Sequence, residues 1–266
     1  MKTITILVVI ASYISAGPTN PSGRISYGEV AERGQFPYQV SVQLSLGFTF
    51  YPSCGGSILS PEYILTAAHC FPIPGAASYQ VLAGITNVYD VNVGEQRRNV
   101  LNYVIHELYQ SGFVLASPHD IAVVQLTDPL IYTDTIKPIA LPPVNAEFTG
   151  IATLSGWGET ETGRESSILL YAEIPLIDVT ECNNALVKLM DPRANNPFDS
   201  QTNICTFSTT YQSSCTGDSG GPLALNGTLI GIVSWGMGNC GDKIYSPSVY
   251  VKVSKYIDWI QQHSDL

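Results

Sequence analysis

Cys-Thr-Gly-Asp-Ser-Gly-Gly-Pro occupies residues 215–222, with glycines on both sides of a single Asp-Ser pair. Glycine adopts backbone dihedrals that are closed to residues with a Cβ, so the stretch predicts a tight turn whose N–H groups point into open space beside a hydroxyl. Such a turn can hold a nucleophile and an oxyanion site. The alternative is a polar surface loop, because Gly, Asp and Ser are also ordinary turn residues.

A serine hydroxyl needs a base within hydrogen-bond reach and a third group that orients that base. The chain offers His69, in Thr-Ala-Ala-His-Cys, and Asp120, at the head of the apolar segment Asp-Ile-Ala-Val-Val. The chain order His, Asp, Ser is one of the known arrangements of a catalytic triad. A buried structural histidine and a turn aspartate are the alternatives for these two residues. The adjacent Cys70 favours the catalytic interpretation of His69.

These three motifs together resemble the chymotrypsin/trypsin family of serine endopeptidases, from Ile25 to the C terminus. The resemblance implies that His69 is the general base and then the general acid, and that Asp120 orients it and stabilises the imidazolium. Ser219 would be the nucleophile, and the N–H groups of Gly217 and Ser219 would bind the oxyanion. His119, next to Asp120, is given no role, because the residue before the catalytic Asp varies in the family.

The composition fits a globular protein. The 266 residues are 45% hydrophobic, and the net charge of −10 comes without basic clusters, which makes nucleic acid an improbable partner. Short alternating apolar segments at 38–44, 55–59 and 63–66, separated by Gly, Pro and Asn, predict an all-β barrel or sandwich. The resemblance narrows this to two six-stranded antiparallel β-barrels, about 38–137 and about 144–252, with the active site in the cleft between them.

Two helices and one hairpin are also predicted. The segment 179–190, with Thr180 as its cap, reads as a helix, as does the C-terminal segment 253–263. Asn226-Gly227 predicts the turn of a hairpin within 223–230. Asn226-Gly227-Thr228 is also a glycosylation sequon, and the sequence leaves its occupancy open.

The start of the chain indicates secretion. Lys2, the apolar run 4–11 and the small residues at 15–17 are typical of a signal peptide, expected at 1–16. A membrane anchor is the alternative, but the run is shorter than the about 20 apolar residues of a spanning helix, and no later stretch qualifies. Residues 17–24 read as a propeptide, and 25–266 as the protease domain. The resemblance implies that cleavage after Arg24 frees the Ile25 ammonium to pair with Asp218, although Ser26 stands where Val is common.

Six cysteines suit an oxidising compartment, where an even count implies disulfides, and spacing alone permits 15 pairings. Zinc binding is the competing use, but the spacings typical of zinc sites are absent from the sequence. No metal or other cofactor is expected. The resemblance also argues against bound calcium, because Ile85 stands where related enzymes have a carboxylate ligand. The family pattern implies the pairs Cys54–Cys70, Cys182–Cys205 and Cys215–Cys240.

The resemblance also implies a specificity. Ser213 lies at the base of the family's specificity pocket, where trypsin-like members have Asp, and Gly236 keeps one wall open. Ser248 makes the pocket shallower, and the loop 241–247 is longer than usual. We therefore expect chymotrypsin-like cleavage after aromatic or large aliphatic residues, with an elastase-like preference as the alternative. Asp242 reaching the pocket would restore cleavage after basic residues.

Several further expectations follow from the same resemblance. The strand segment Ser234-Trp235-Gly236 would pair with the substrate backbone, although a plain buried strand end is possible there. Because an enzyme of this specificity would not cut efficiently after Arg24, a separate trypsin-like activating protease is expected. The expected partners are protein or peptide substrates and protein protease inhibitors, with no nucleic acid and no membrane, for a secreted extracellular monomer. A catalytically inactive, protease-like binding protein is the alternative from another class.

Overall fold

The computed structural model describes residues 25, 27–45, 47, 49–72, 78–89, 94–110, 117–191, 193–238 and 246–266. The signal peptide and propeptide expected at 1–24, Ser26, Cys240, Asp242 and most of the 241–247 loop lie outside the described residues. The described strands are β1 (Glu29–Val30), β2 (Gln39–Ser45), β3 (Phe50–Ile58), β4 (Tyr63–Thr66), β5 (Ser78–Ala83), β6 (Gln96–Ile105), β7 (Ala122–Leu126), β8 (Ile151–Gly156), β9 (Leu170–Ile177), β10 (Asn203–Thr206), β11 (Pro222–Leu225), β12 (Thr228–Gly236) and β13 (Ser248–Lys252). The helices are α1 (Val179–Leu189) and α2 (Ile257–Gln262), with short 3-10 turns at Ala68–Cys70 and Val253–Lys255.

The strands form two closed antiparallel barrels of six strands each, as predicted. The first has the order β2-β3-β4-β7-β6-β5. The second has the order β8-β9-β10-β13-β12-β11 and closes because β8 pairs with both β9 and β11, while β1 adds to β9 at its outside. Fully buried side chains such as Val40 and Ile64 fill the first barrel, and Leu154, Ile230 and Tyr250 fill the second.

The structure has strands at the predicted segments, but the bounds of these strands differ in part from the prediction. The third segment coincides with β4, but β3 begins at Phe50 and not near Gly55. Residues 50–54 lack an alternating pattern, and they become strand because they pair with β2 across a bulge between Val42 and Gln43. The hairpin is confirmed: β11 and β12 meet at Asn226 and Gly227, which have φ of 51° and 76° as a type I′ turn requires.

The helix predicted at 179–190 is confirmed as α1 but has a different cap, and the segment predicted as a helix at 253–263 is only partly α-helical. The cap of α1 is Asp178 and not Thr180, since the Asp178 carboxylate accepts hydrogen bonds from the backbone N–H of Thr180 and of Glu181, each at 2.8 Å. The C-terminal segment is not one helix. It is a 3-10 turn and then α2, separated at Tyr256, whose φ of −118° is outside the helical range. The Tyr256 hydroxyl lies 2.9 Å from Nδ1 of His119. Through this contact the residue at the break packs against the segment that precedes β7 of the first barrel.

Strand pairing places the candidate residues at the junction of the barrels. β4 pairs with β7 in the register Thr66↔Ala122, so the turn that follows β4 and the residues that precede β7 are neighbours. His69 lies in that turn and Asp120 precedes β7, while Ser219 precedes β11 of the second barrel. In the described part of the chain, no helix is long and apolar enough to cross a membrane.

Candidate active site

His69 and Asp120 form a tightly connected pair. The Asp120 carboxylate is 3% exposed and accepts the backbone N–H of His69 at 2.9 Å. Its second oxygen lies 2.7 Å from His69 Nδ1 and accepts the Ser234 hydroxyl at 2.6 Å. An ionised carboxylate only accepts hydrogen bonds, so the ring proton sits on Nδ1 and leaves Nε2 free to take a proton.

The surroundings of His69 alter its basicity. Burial lowers the pKa of His69, but the hydrogen bond and the negative charge of Asp120 together outweigh it, so the pKa lies above its ordinary value of 6.5. The ring remains about one-third exposed, with a side-chain exposure of 32%. The imidazole is therefore basic and accessible, which are the two properties that a general base needs.

The turn that carries Ser219 packs against the first barrel. Gly220 has a φ of +74°, and a Cβ there would lie 2.1 Å from the Thr66 hydroxyl oxygen, so glycine is required. The Ser219 carbonyl accepts the Gly55 N–H at 2.8 Å and lies 3.9 Å from Cys70 Sγ. A ring nitrogen of His69 is within 4.8 Å of that same sulfur.

The turn that carries Ser219 therefore lies near the His69 imidazole, but the two side chains are not hydrogen-bonded to each other. Among the described residues, none forms a hydrogen bond with the Ser219 hydroxyl, and Ser219 is half-buried. Such bonds are often long or poorly aligned before substrate binds. Gly217, the other expected oxyanion donor, has a φ of +92°, in the range that favours glycine.

Asp218 is a second buried carboxylate next to the serine. It is 1% exposed and accepts the backbone N–H groups of Gly158 and Cys215 at 2.8 and 2.9 Å. A Cβ on Gly156 or Gly158 would lie 2.0 or 2.5 Å from its oxygens, so both glycines make room for it. Burial raises the pKa of Asp218 to about 7, which the two N–H donors only partly oppose. Ile25, its expected partner after cleavage, is fully buried in the core of the same barrel.

The expected specificity pocket is partly described. Gly236 pairs with Ser248 across β12 and β13, and among the described residues the nearest atom to a Cβ on Gly236 would be the Pro247 carbonyl oxygen, 3.9 Å away. Ser248 is buried, and its hydroxyl accepts the Ser214 N–H at 3.2 Å. Ser213 is half-buried beside it. Trp235, expected to pair with the substrate backbone, is buried next to Val249.

Two of the three expected disulfides are present, Cys54–Cys70 and Cys182–Cys205. Cys215 is also disulfide-bonded, and its expected partner Cys240 lies outside the described residues. The first disulfide joins β3 to the turn that holds His69. The described residues contain one group with metal-ligand spacing, Cys54, His69 and Cys70, but its two sulfurs are used in this disulfide and cannot bind a metal as thiolates. Ile85 is buried against Val88 and Trp157, and its side chain offers no ligand oxygen.

Sequence analysis missed three supporting features of the site. Ser234, expected only to contact substrate, donates its hydroxyl to Asp120. His119, given no role, precedes Asp120 with a φ of +59° and stacks on His106 with a ring separation of 4.8 Å. The glycines around the buried Asp218 are the third feature. The spacing Gly-Trp-Gly at 156–158 was visible in the sequence, but nothing local links it to a residue 60 positions away.

The two closed barrels and the position of the candidate residues between them are the chymotrypsin fold, the architecture of the two-barrel serine proteases. The family model described as Trypsin matches residues 25–260. A trypsin of Simulium vittatum is 37% identical over 234 residues, which cover 86% of this chain and 88% of the relative. A chymotrypsin of Phaedon cochleariae is 35% identical over 257 residues, covering 95% and 86%. Coagulation factor IX of Cavia porcellus is 38% identical over 256 residues, covering 92% and 83%. The chain therefore belongs to the trypsin family of serine proteases.

Proposed function

We propose that this protein is a secreted serine endopeptidase that uses Ser219, His69 and Asp120 as its catalytic triad. The observation that carries the proposal is the Asp120 carboxylate, whose hydrogen bond at 2.7 Å fixes the His69 proton on Nδ1. The free Nε2 is then the nitrogen that would accept the Ser219 proton. An inactive binding protein would not need an imidazole held in this tautomer.

The proposed reaction has two halves. The Ser219 oxygen attacks the carbonyl carbon of the peptide bond while its proton moves to His69 Nε2, and the N–H groups of Gly217 and Ser219 bind the resulting oxyanion. The tetrahedral intermediate collapses to an acyl-enzyme as His69 returns the proton to the leaving amine. A water molecule, deprotonated by His69, then hydrolyses the acyl-enzyme by the same sequence of steps.

We further propose a chymotrypsin-like preference for aromatic or large aliphatic residues before the scissile bond. The neutral Ser213 offers no countercharge for Arg or Lys, and Gly236 has no side chain that would take up space in the proposed pocket. Relatives named trypsin and chymotrypsin match at similar identity, so the relatives do not decide between the two. The alternative is an elastase-like preference for smaller apolar residues, because a serine side chain at 248 would make the proposed pocket shallower.

Activation is proposed to follow cleavage after Arg24 by a trypsin-like protease. The support is Asp218, which is buried with two N–H donors and without a contacting cation among the described residues. The Ile25 ammonium would supply that cation. Secretion as a monomer after removal of 1–16, glycosylation at Asn226 and inhibition by protein protease inhibitors belong to the same proposal. The exposed turn at Asn226 leaves room for a glycan.

The test uses the full chain secreted from eukaryotic cells, activated with trypsin, and identified by N-terminal sequencing. Chromogenic peptides ending in Phe, Leu, Ala and Arg are then compared for the wild type and for Ser219→Ala. We expect cleavage after Phe or Leu to dominate and the variant to lose about six orders of magnitude in kcat. Near-normal turnover by Ser219→Ala would overturn the triad, whereas dominant cleavage after Arg would overturn only the specificity.

A further inference from the structure

A cavity of about 120 Å³ opens beside Gly217, between the two barrels. The first barrel contributes Ser41 of β2 and Ser53 and Cys54 of β3, and the other wall contains Trp157, Glu165 and Gly217. None of the residues assigned above to the substrate's acyl side, namely Ser213, Ser234, Trp235, Gly236 and Ser248, lines it. A peptide bound across Ser219 must continue past Gly217, so the cavity is available to the part of the substrate that follows the scissile bond.

Glu165 is the one charged side chain among the described residues that line this cavity. Its carboxylate approaches the position of a Cβ on Gly217 to 3.4 Å, so it lies against the backbone of a proposed oxyanion donor. Glu165 is exposed, and within the described ranges no residue gives its carboxylate a hydrogen bond or an ion pair. The Glu165 carboxylate can therefore accept hydrogen bonds from a ligand in the cavity.

The backbone that carries Glu165 is held in place. Glu159 and Glu165 form an isolated antiparallel bridge, and the Ser166 N–H donates to the Trp157 carbonyl at 3.1 Å. Trp157 is buried, and its indole N–H donates to the Thr86 carbonyl at 3.0 Å. A carboxylate on such a fixed segment can select a ligand at little entropic cost.

The charge of Glu165 has a consequence for the proposed chemistry. Negative charge develops on the substrate oxygen at Gly217 in the transition state, and a nearby carboxylate opposes it. A positively charged side chain placed between the two would cancel this repulsion and bind Glu165 directly. Tyr89, which is 70% exposed, also lines the cavity, and an aromatic ring is a second group that can attract a cation.

We propose that Glu165 is a specificity-determining residue that selects Lys or Arg at the first or second position after the scissile bond. The inference rests on the proposed endopeptidase function and names a feature of its substrates. It predicts that the best substrates combine an apolar residue before the bond with a basic residue after it. Acidic residues in the same positions would be disfavoured, because they add to the negative charge beside Gly217.

The experiment uses the trypsin-activated full chain and internally quenched peptides that share one sequence before the scissile bond. The residue at the first or second position after the bond is Lys, norleucine or Glu, and product masses identify the bond that is cut. We expect kcat/KM for Lys to exceed that for Glu by about fivefold, the scale of an exposed ion pair. Glu165→Gln should reduce this ratio to below about twofold.

The matched control is Glu173→Gln, which removes the same charge from an exposed position on β9 that does not line the cavity. It should keep the wild-type ratio. Fluorophosphonate labelling of Ser219 in each variant checks that the site is intact. Equal rates for Lys and Glu peptides in the wild type, or a Lys preference that survives Glu165→Gln, would overturn the inference. Failure of the activated wild type to cut any of the peptides would instead count against the proposed function.

Discussion

Two buried aspartates, Asp120 and Asp218, flank the proposed nucleophile, and their carboxylates accept different numbers of hydrogen bonds. Asp120 is 3% exposed and accepts three hydrogen bonds, from a backbone N–H, an imidazole and a hydroxyl. Asp218 is 1% exposed and accepts two, both from backbone N–H groups. Asp120 therefore contacts a group that can become a cation, His69. Asp218 contacts no such group in the described part of the chain.

From this difference we infer which half of the site is complete before the chain is cut. The His69 and Asp120 half needs only elements of the first barrel and one hydroxyl from β12. The Asp218 half carries a desolvated carboxyl whose pKa is raised to about 7 by burial. A buried charge without a partner is costly, so this half is expected to become stable at neutral pH only when a cation arrives.

Among changes to the two aspartates and their hydrogen-bond donors, the largest effect is expected from Asp120→Asn. The amide can donate to Nδ1, which moves the ring proton to Nε2 and removes the acceptor that Ser219 needs. We expect kcat to fall by about four orders of magnitude, as for the corresponding exchange in the family. Burst kinetics with a chromogenic ester measure it, and the free energy of unfolding serves as the control for folding. A loss below about tenfold would show that Asp120 does not orient the base.

The second largest effect is expected from Asp218→Asn, which should lower kcat in the processed protein and raise the free energy of unfolding of the uncut chain. In the processed protein the variant loses the pairing with the Ile25 ammonium, so kcat should fall by about 10²–10³, the cost of a lost oxyanion donor. In the uncut chain it removes an unpaired buried charge, but the amide has one acceptor oxygen for the two N–H donors, so the free energy of unfolding at pH 8 should rise by only about 1 kcal/mol. Destabilisation of both forms would contradict the comparison between the aspartates.

The free energy of unfolding should also depend on pH differently in the uncut and in the processed protein. In the uncut chain the Asp218 carboxyl binds its proton more tightly when folded, with a pKa of about 7, than when unfolded, where it is about 4. The folded state therefore holds more protons, and the free energy of unfolding should fall as pH rises from about 4 to about 7. Pairing with the Ile25 ammonium lowers the pKa of Asp218, so the processed protein should lack this fall. Urea titrations of both forms at pH 4 to 8 measure it, and a fall of equal size in both would refute the proposed pairing.

The fold could be predicted from the sequence, and three motifs single out the candidate site residues, but the contacts that hold those residues in place could not be predicted. Alternating strands and three motifs indicate the barrels and point to His69, Asp120 and Ser219. The contact between Ser234 and Asp120 joins residues 114 positions apart, and it depends on how the two barrels dock. Tyr256, at the break before α2, likewise contacts His119, which lies 137 positions earlier and precedes β7 of the first barrel. The Asp178 cap is different, because an aspartate directly before the helix was visible in the sequence.

The smallest effect is expected from Ser234→Ala, which leaves Asp120 with two donors, the number that Asp218 has. Removing the hydroxyl takes a hydrogen bond from the charged carboxylate, so Asp120 attracts the His69 proton more strongly and the pKa of His69 should rise further. The acid limb of the kcat/KM profile should therefore shift to higher pH, with a loss of about tenfold at pH 7. Trp235, the neighbour on β12, stays in place because the backbone is unchanged, so KM for short peptides should stay within about twofold. A lower rate with an unshifted acid limb would mean that the Ser234 hydroxyl supports the strand and not the carboxylate.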